Sequence, residues 1–120
     1  MASELRVNTL KDAAGANSVA MEYVANGSAR VWVFHSDVGV SLTDFGISSI
    51  VDDGTGINTL NFSSVFSGTQ FITSGTCASG SDRNITASSP TTTSIVIETF
   101  NTAGSNVAST SSQAMHGDLA

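Results

Sequence analysis

Apolar residues in this 120-residue chain recur mostly with a period of two, in short runs broken by Gly, Asn, Asp and Ser. That pattern puts successive side chains on opposite faces of a strand and leaves little for a helix to bury along one stripe. It predicts an all-β fold, a small antiparallel β-sandwich or barrel-like domain with an extended N-terminal strand or arm. Residues 1–27 are expected to form that arm, packing between subunits, and residues 28–120 the β-rich body, all as one structural domain.

The runs can be taken in order. Glu4 to Leu10 alternates Leu5, Val7 and Thr9 against Arg6 and Asn8, and ends at the turn from Lys11 to Gly15. Ser18 to Ala25 reads as a strand joined through Asn26-Gly27 to a second at Ala29 to His35, because Asn-Gly tolerates the positive φ of a tight hairpin. The second run is apolar on both faces, Val31 and Val33 opposite Trp32 and Phe34, so it is expected to lie between layers or under another subunit. Val38 to Leu42 and Ile47 to Val51 read as shorter strands separated by residues 43–46. Asp52-Asp53-Gly54-Thr55-Gly56 is the clearest turn, closing a hairpin with Ile57 to Phe62. Gln70 to Thr76 and Thr92 to Phe100 follow, the latter the strongest strand because Ile95, Val96 and Ile97 are β-branched. Between them residues 77–90 read as a polar loop with a short strand at Asn84 to Ala87. A weak strand is expected from Ser111 to Gly117.

Composition narrows the function classes. Hydrophobic residues make up 40% and charged residues only 12%, so the chain has the apolar content to fold and takes its polar surface from Ser and Thr. Four basic residues against ten acidic give a formal charge of −6, and Arg6, Lys11, Arg30 and Arg83 are scattered. That field repels phosphate backbones and anionic lipids, so neither nucleic acid nor a membrane is an expected partner. Cys77 is the single cysteine, which excludes an intrachain disulfide. The N-terminus carries an early acidic residue and no apolar run, so no cleavable signal is expected.

Several residues invite a chemical reading, and each has a plainer one. His35-Ser36-Asp37 brings the three residue types of a hydrolytic triad together, but neighbours on a strand point to opposite faces, whereas a triad needs convergence. Asp52 and Asp53 lack the ligand alternation of a calcium loop and suit a hairpin turn. Residues Gly75 to Gly80 resemble a nucleophile elbow only superficially, and Cys77 reads as a small hydrophobe or unreactive loop thiol. His116 could pair with Asp118, and either His35 or His116 could meet its copies on a symmetry axis. Asn84-Ile85-Thr86 matches a glycosylation sequon by chance. Trp32, Phe34, Phe45, Phe62, Phe66, Phe71 and Phe100 read chiefly as core, with sugar stacking as the alternative. No catalytic, cofactor-binding or metal-binding residue is assigned, and the chain is not expected to be an enzyme.

Three segments carry a resemblance: residues 3–18 (Ser-Glu-Leu-Arg-Val-Asn-Thr-Leu-Lys-Asp-Ala-Ala-Gly-Ala-Asn-Ser), residues 24–33 (Val-Ala-Asn-Gly-Ser-Ala-Arg-Val-Trp-Val) and residues 47–62 (Ile-Ser-Ser-Ile-Val-Asp-Asp-Gly-Thr-Gly-Ile-Asn-Thr-Leu-Asn-Phe). They look like short β-rich virion structural proteins of tailed phages that infect marine bacteria and cyanobacteria. The likeness weakens after Phe71, and the chain departs from the pattern at His35-Ser36-Asp37 and in its polar last strand. The resemblance implies a homotrimeric appendage on the virion surface in contact with other virion proteins: a capsid decoration (cement) protein, a head knob, or the receptor- or glycan-binding tip of a tail fibre. A tail fibre needs an anchor and a shaft that 120 residues do not accommodate, so the head decoration or knob is the favoured expectation.

Overall fold

The computed structural model describes residues 6–15, 17–21, 24, 27–78 and 82–120. Among the described residues ten strands form three antiparallel sheets: β1 (Thr9–Lys11), β2 (Ser18–Ala20), β3 (Val31–His35), β4 (Ser41–Phe45), β5 (Ile47–Gly54), β6 (Ile57–Phe62), β7 (Ile72–Cys77), β8 (Asn84–Ser88), β9 (Ser94–Phe100) and β10 (Ser111–His116). One four-stranded sheet has the order β4-β3-β10-β7 and the other β5-β6-β9-β8, while β1 and β2 make a separate two-stranded ribbon. Among the described residues no helix is long and apolar enough to cross a membrane.

The two large sheets meet along both sides. On one side β4 runs into β5 through Gly46 alone, which bends the chain from the first sheet into the second. Gly46 has φ +79°, and a Cβ there would sit 2.9 Å from the Arg30 carbonyl oxygen, so the corner requires glycine. On the other side β7 lies against β8. The sandwich is thus barrel-like, with inward positions set by alternation: Val31, Val33, Leu60, Phe62, Ile95, Ile97 and Met115 are buried together with Phe66. Phe66 stacks on Phe71 at 4.5 Å between centroids and meets Phe62 edge-on at 5.2 Å, closing the apolar end.

The hairpin predicted at Asp52–Gly56 forms, with β5 paired to β6, but β5 runs on through Gly54 with a register shift between Asp52 and Gly54, so the turn itself is Thr55-Gly56. Other boundaries move. Residues 43–45 belong to β4 and pair with β3, leaving Gly46 as the only break before β5. The weak last strand is central in its sheet, hydrogen-bonded to β3 on one side and β7 on the other. The strand predicted from Ser18 to Ala25 stops at Ala20, and its partner is β1, with Leu10 opposite Val19, not β3. Beyond it Met21, Val24 and Gly27 have helical backbone, and the Ser28 hydroxyl donates to the Val24 carbonyl one turn back at 2.6 Å. Met21, where the strand ends, is a helix-favouring residue. Glu4, Leu5, Tyr23 and Asn26 lie outside the described residues.

The β1–β2 ribbon pairs with itself and packs little on the sandwich. The Cα radius of gyration is 17.2 Å, against about 14 Å for a compact chain of this length. Two strands alone are marginal in water.

Candidate functional site

The triad-like residues are separated by the fold. His35 is the last residue of β3 and points inward, 1% exposed, while Ser36 begins a turn whose hydroxyl accepts a hydrogen bond from the Val40 amide at 3.2 Å. The partner of His35 is a residue the sequence reading did not single out: Ser111, 76 positions away, on the adjacent strand β10. The two are opposite one another in register, and His35 Nε2 lies 3.2 Å from Ser111 Oγ. The other ring nitrogen, Nδ1, is 2.8 Å from the Ser36 carbonyl oxygen and donates there, and in the neutral ring this tautomer makes Nε2 the acceptor of the Ser111 hydroxyl. Gln113 Nε2 donates to Ser111 Oγ at 2.9 Å.

This is a serine–histidine pair by distance, yet Ser111 is 0% exposed and Gln113 4%. A nucleophile sealed in the core cannot meet a substrate, and the pair acts as a hydrogen-bonded bridge between β3 and β10. The cluster makes one end of the core polar, with Asn58, Thr99 and Ser109 also buried. Gln113 Oε1 and Asn58 Oδ1 are buried without a hydrogen-bond partner among the described residues. The signal in the sequence was the polar alternation Ser111-Gln113 before Met115, which marks an inward face but does not say which strand lies opposite.

The remaining candidates resolve into structural roles. Asp52 Oδ1 accepts the Gly54 amide at 3.0 Å and Asp53 Oδ2 accepts the Thr59 hydroxyl at 2.6 Å, both within the hairpin. Among the described residues no three His, Cys, Asp or Glu side chains gather to hold a metal ion. Cys77, half-buried, sits 3.6 Å through its sulfur from the Asn84 carbonyl. His116 lies on the outer face of β10 opposite Ile72, and Asp118 accepts the Ser67 amide through its backbone carbonyl.

The aromatic side chains divide. Phe62 and Phe66 are core, as the sequence reading favoured. Trp32 and Phe45 are not: they are 41% and 58% exposed, opposite each other on β3 and β4, on the outer face of the first sheet. Alternation explains this, because Val31, Val33 and His35 take the inward positions of β3 and leave Trp32 and Phe34 outside. Behind them the small side chains of Ser112 and Ala114 form a floor, and Ser74 and Thr76 stand on the far strand. Together with Thr43 these residues line an open trough across the sheet.

Other apolar side chains are left open along the side of the molecule. Val38, Val40 and Leu42, at and before the edge strand β4, are each more than half exposed. Val38 and Val40 flank Gly39, whose backbone lies against Asp52 of β5. Val7, Leu10 and Val19 are exposed on and beside the ribbon. No protein family, curated protein or solved structure matches this chain.

Proposed function

We propose that this chain is a non-enzymatic structural protein of a tailed-phage virion, a homotrimer at the particle surface of the capsid decoration or head-knob type. One observation carries the reading: apolar side chains are exposed in two places where a neighbouring subunit would cover them, the β1–β2 ribbon (Leu10, Val19) and the β4 edge (Val38, Val40, Leu42). β4 is an edge strand of five residues; Asp44, in register with the inward Val33, and the irregular register at Phe34/His35 blunt it as a template for strand pairing, so the contact it offers a neighbour is through its exposed apolar side chains. Covering each of these half-exposed side chains returns about 1 kcal/mol, and a closed ring of identical subunits covers all of them at once.

The resemblance of residues 3–18, 24–33 and 47–62 to virion proteins supplies the particle surface as the setting and three as the number of subunits. The chemistry of the core agrees with a structural role, because the His35–Ser111 pair is buried and serves to join strands. The test is the native mass in solution of the purified chain beside a Leu10→Asp/Val19→Asp variant. Three chains for the wild type and a smaller, still folded species for the variant are expected.

A further inference from the structure

Arg30 stands immediately before β3, at the corner where Gly46 turns the chain from the first sheet into the second. Its backbone is fixed on both sides. The Arg30 amide donates to the Met115 carbonyl at 2.8 Å, and its own carbonyl oxygen lies so close to Gly46 that a Cβ there would sit 2.9 Å away. The side chain, by contrast, is left unanswered. Nε is buried with no acceptor, and the two Nη atoms take no partner among the described residues while staying open to solvent. A charged donor closed off from both water and acceptor carries a desolvation cost that nothing in the fold offsets.

The guanidinium faces a hollow of about 500 Å³ whose lining also includes Phe45, Ser63, Ser64 and Leu119. That size falls within the range of small-ligand sites. No Asp or Glu among the described residues lines it, although the chain carries ten acidic residues. The hydroxyls of Ser63 and Ser64 take no partner among the described residues, so they too are available as donors. Exposed Phe45 and half-buried Leu119 add apolar surface beside them.

Charge and shape narrow what fits. A neutral group would leave the guanidinium unanswered, and a cation would be repelled by it. The planar fork of N–H donors matches the two oxygens of a carboxylate. One cation balances one negative charge, whereas a phosphate dianion would bring a second into the field of a chain with net charge −6. A polyanion needs a row of cations, and Arg6, Lys11 and Arg83 lie outside the lining.

We infer that this hollow receives a single carboxylate carried on an apolar group, with the carboxylate on Arg30, the serine hydroxyls donating to its remaining lone pairs, and the apolar part against Phe45 and Leu119. Nε is closed to water in this conformer, so an incoming carboxylate meets the Nη pair first and reaches Nε only if the guanidinium turns. Two sources carry such a group: a free small organic acid, and an Asp or Glu side chain of a second copy. Only the second rests on the proposed assembly.

The experiment follows the Arg30 Nε–H signal of the intact ¹⁵N-labelled protein, identified by its loss in Arg30→Gln. Phenylacetate is titrated at constant ionic strength, with phenylacetamide as the neutral isostere and inorganic phosphate as the multiply charged control. Phenylacetate should move the signal saturably, and the two controls should not at the same concentrations. By calorimetry Arg30→Gln should weaken phenylacetate about tenfold or more, the size of one charge-assisted contact, while keeping the β-sheet spectrum. A signal that moves with protein concentration alone, together with a solution mass that falls in Arg30→Gln and on adding phenylacetate, would identify the acid as a side chain of a second copy. A signal unmoved by phenylacetate and by protein concentration, equal response to phenylacetamide or phosphate, or affinity unchanged in Arg30→Gln would overturn the assignment.

Discussion

Replacing Gly56 by alanine tests whether the first hairpin is locked to the far end of the core. Gly56 opens β6 from a left-handed conformation, φ +69°, and its carbonyl accepts the buried Thr99 amide at 2.8 Å. An added Cβ would lie 2.5 Å from the Val107 carbonyl oxygen and 2.7 Å from that of Thr99; both are backbone atoms already engaged, the first accepting the Thr99 hydroxyl at 2.6 Å and the second the Val107 amide at 3.0 Å. Neither can yield without the strand moving. The left-handed conformation alone costs a non-glycine residue roughly 1–2 kcal/mol. Displacing the hairpin also breaks the hydrogen bond to a buried amide, about 1–3 kcal/mol more. The expected loss for Gly56→Ala is therefore about 3 kcal/mol. Gly104 is the internal control: φ is +79°, but a Cβ there meets nothing within 4 Å, so Gly104→Ala should lose only the conformational part. Urea unfolding at one fixed protein concentration, followed by circular dichroism, measures both, the concentration being held because the proposed assembly would contribute to apparent stability. A 2 kcal/mol gap corresponds to a difference in melting temperature of roughly 6–10 °C for a chain of this size. Equal losses in the two variants would refute the locked hairpin.

Leu60 is fully buried at the centre of the second sheet's inner face, so Leu60→Ala should cost about 2–5 kcal/mol in the same assay; a loss under 1 kcal/mol would mean that the sheets are not packed on it. Ser111→Ala removes the shared partner of His35 and Gln113 and strands buried polar atoms of both, a loss of about 1–3 kcal/mol by urea unfolding. An unchanged midpoint would show that the polar end of the core is wet.

The fold class was legible because the alternation of β3, β6, β9 and β10 is strict, and each presents its inward residues without exception from Val31 to His35, Leu60 to Phe62, Ile95 to Thr99 and Ser111 to Met115. The Asp52–Gly56 turn was legible for a different reason, since glycines at 54 and 56 supply the positive φ the hairpin uses. Pairing between distant strands was not. Nothing near His35 in the sequence announces Ser111, and the weakness of the last run gave no hint that it would be central, because hydrogen bonds from two neighbours supply what its side chains lack. The Trp32 face was misjudged as core because aromatic burial was weighed residue type by residue type; period two already placed Trp32 and Phe34 opposite Val31 and Val33. The ribbon of β1 and β2 shows the limit of alternation, where three residues of strand give way at Met21 to helical backbone.

The central claim is assembly through surfaces that one chain leaves uncovered. Multi-angle light scattering of the purified protein measures it directly against a chain mass of 12.2 kDa. A mass near three chains that falls when Leu10 and Val19 become aspartate, with the β-sheet spectrum retained, is the predicted result. A wild-type protein that stays at one chain across the accessible concentrations would contradict the account.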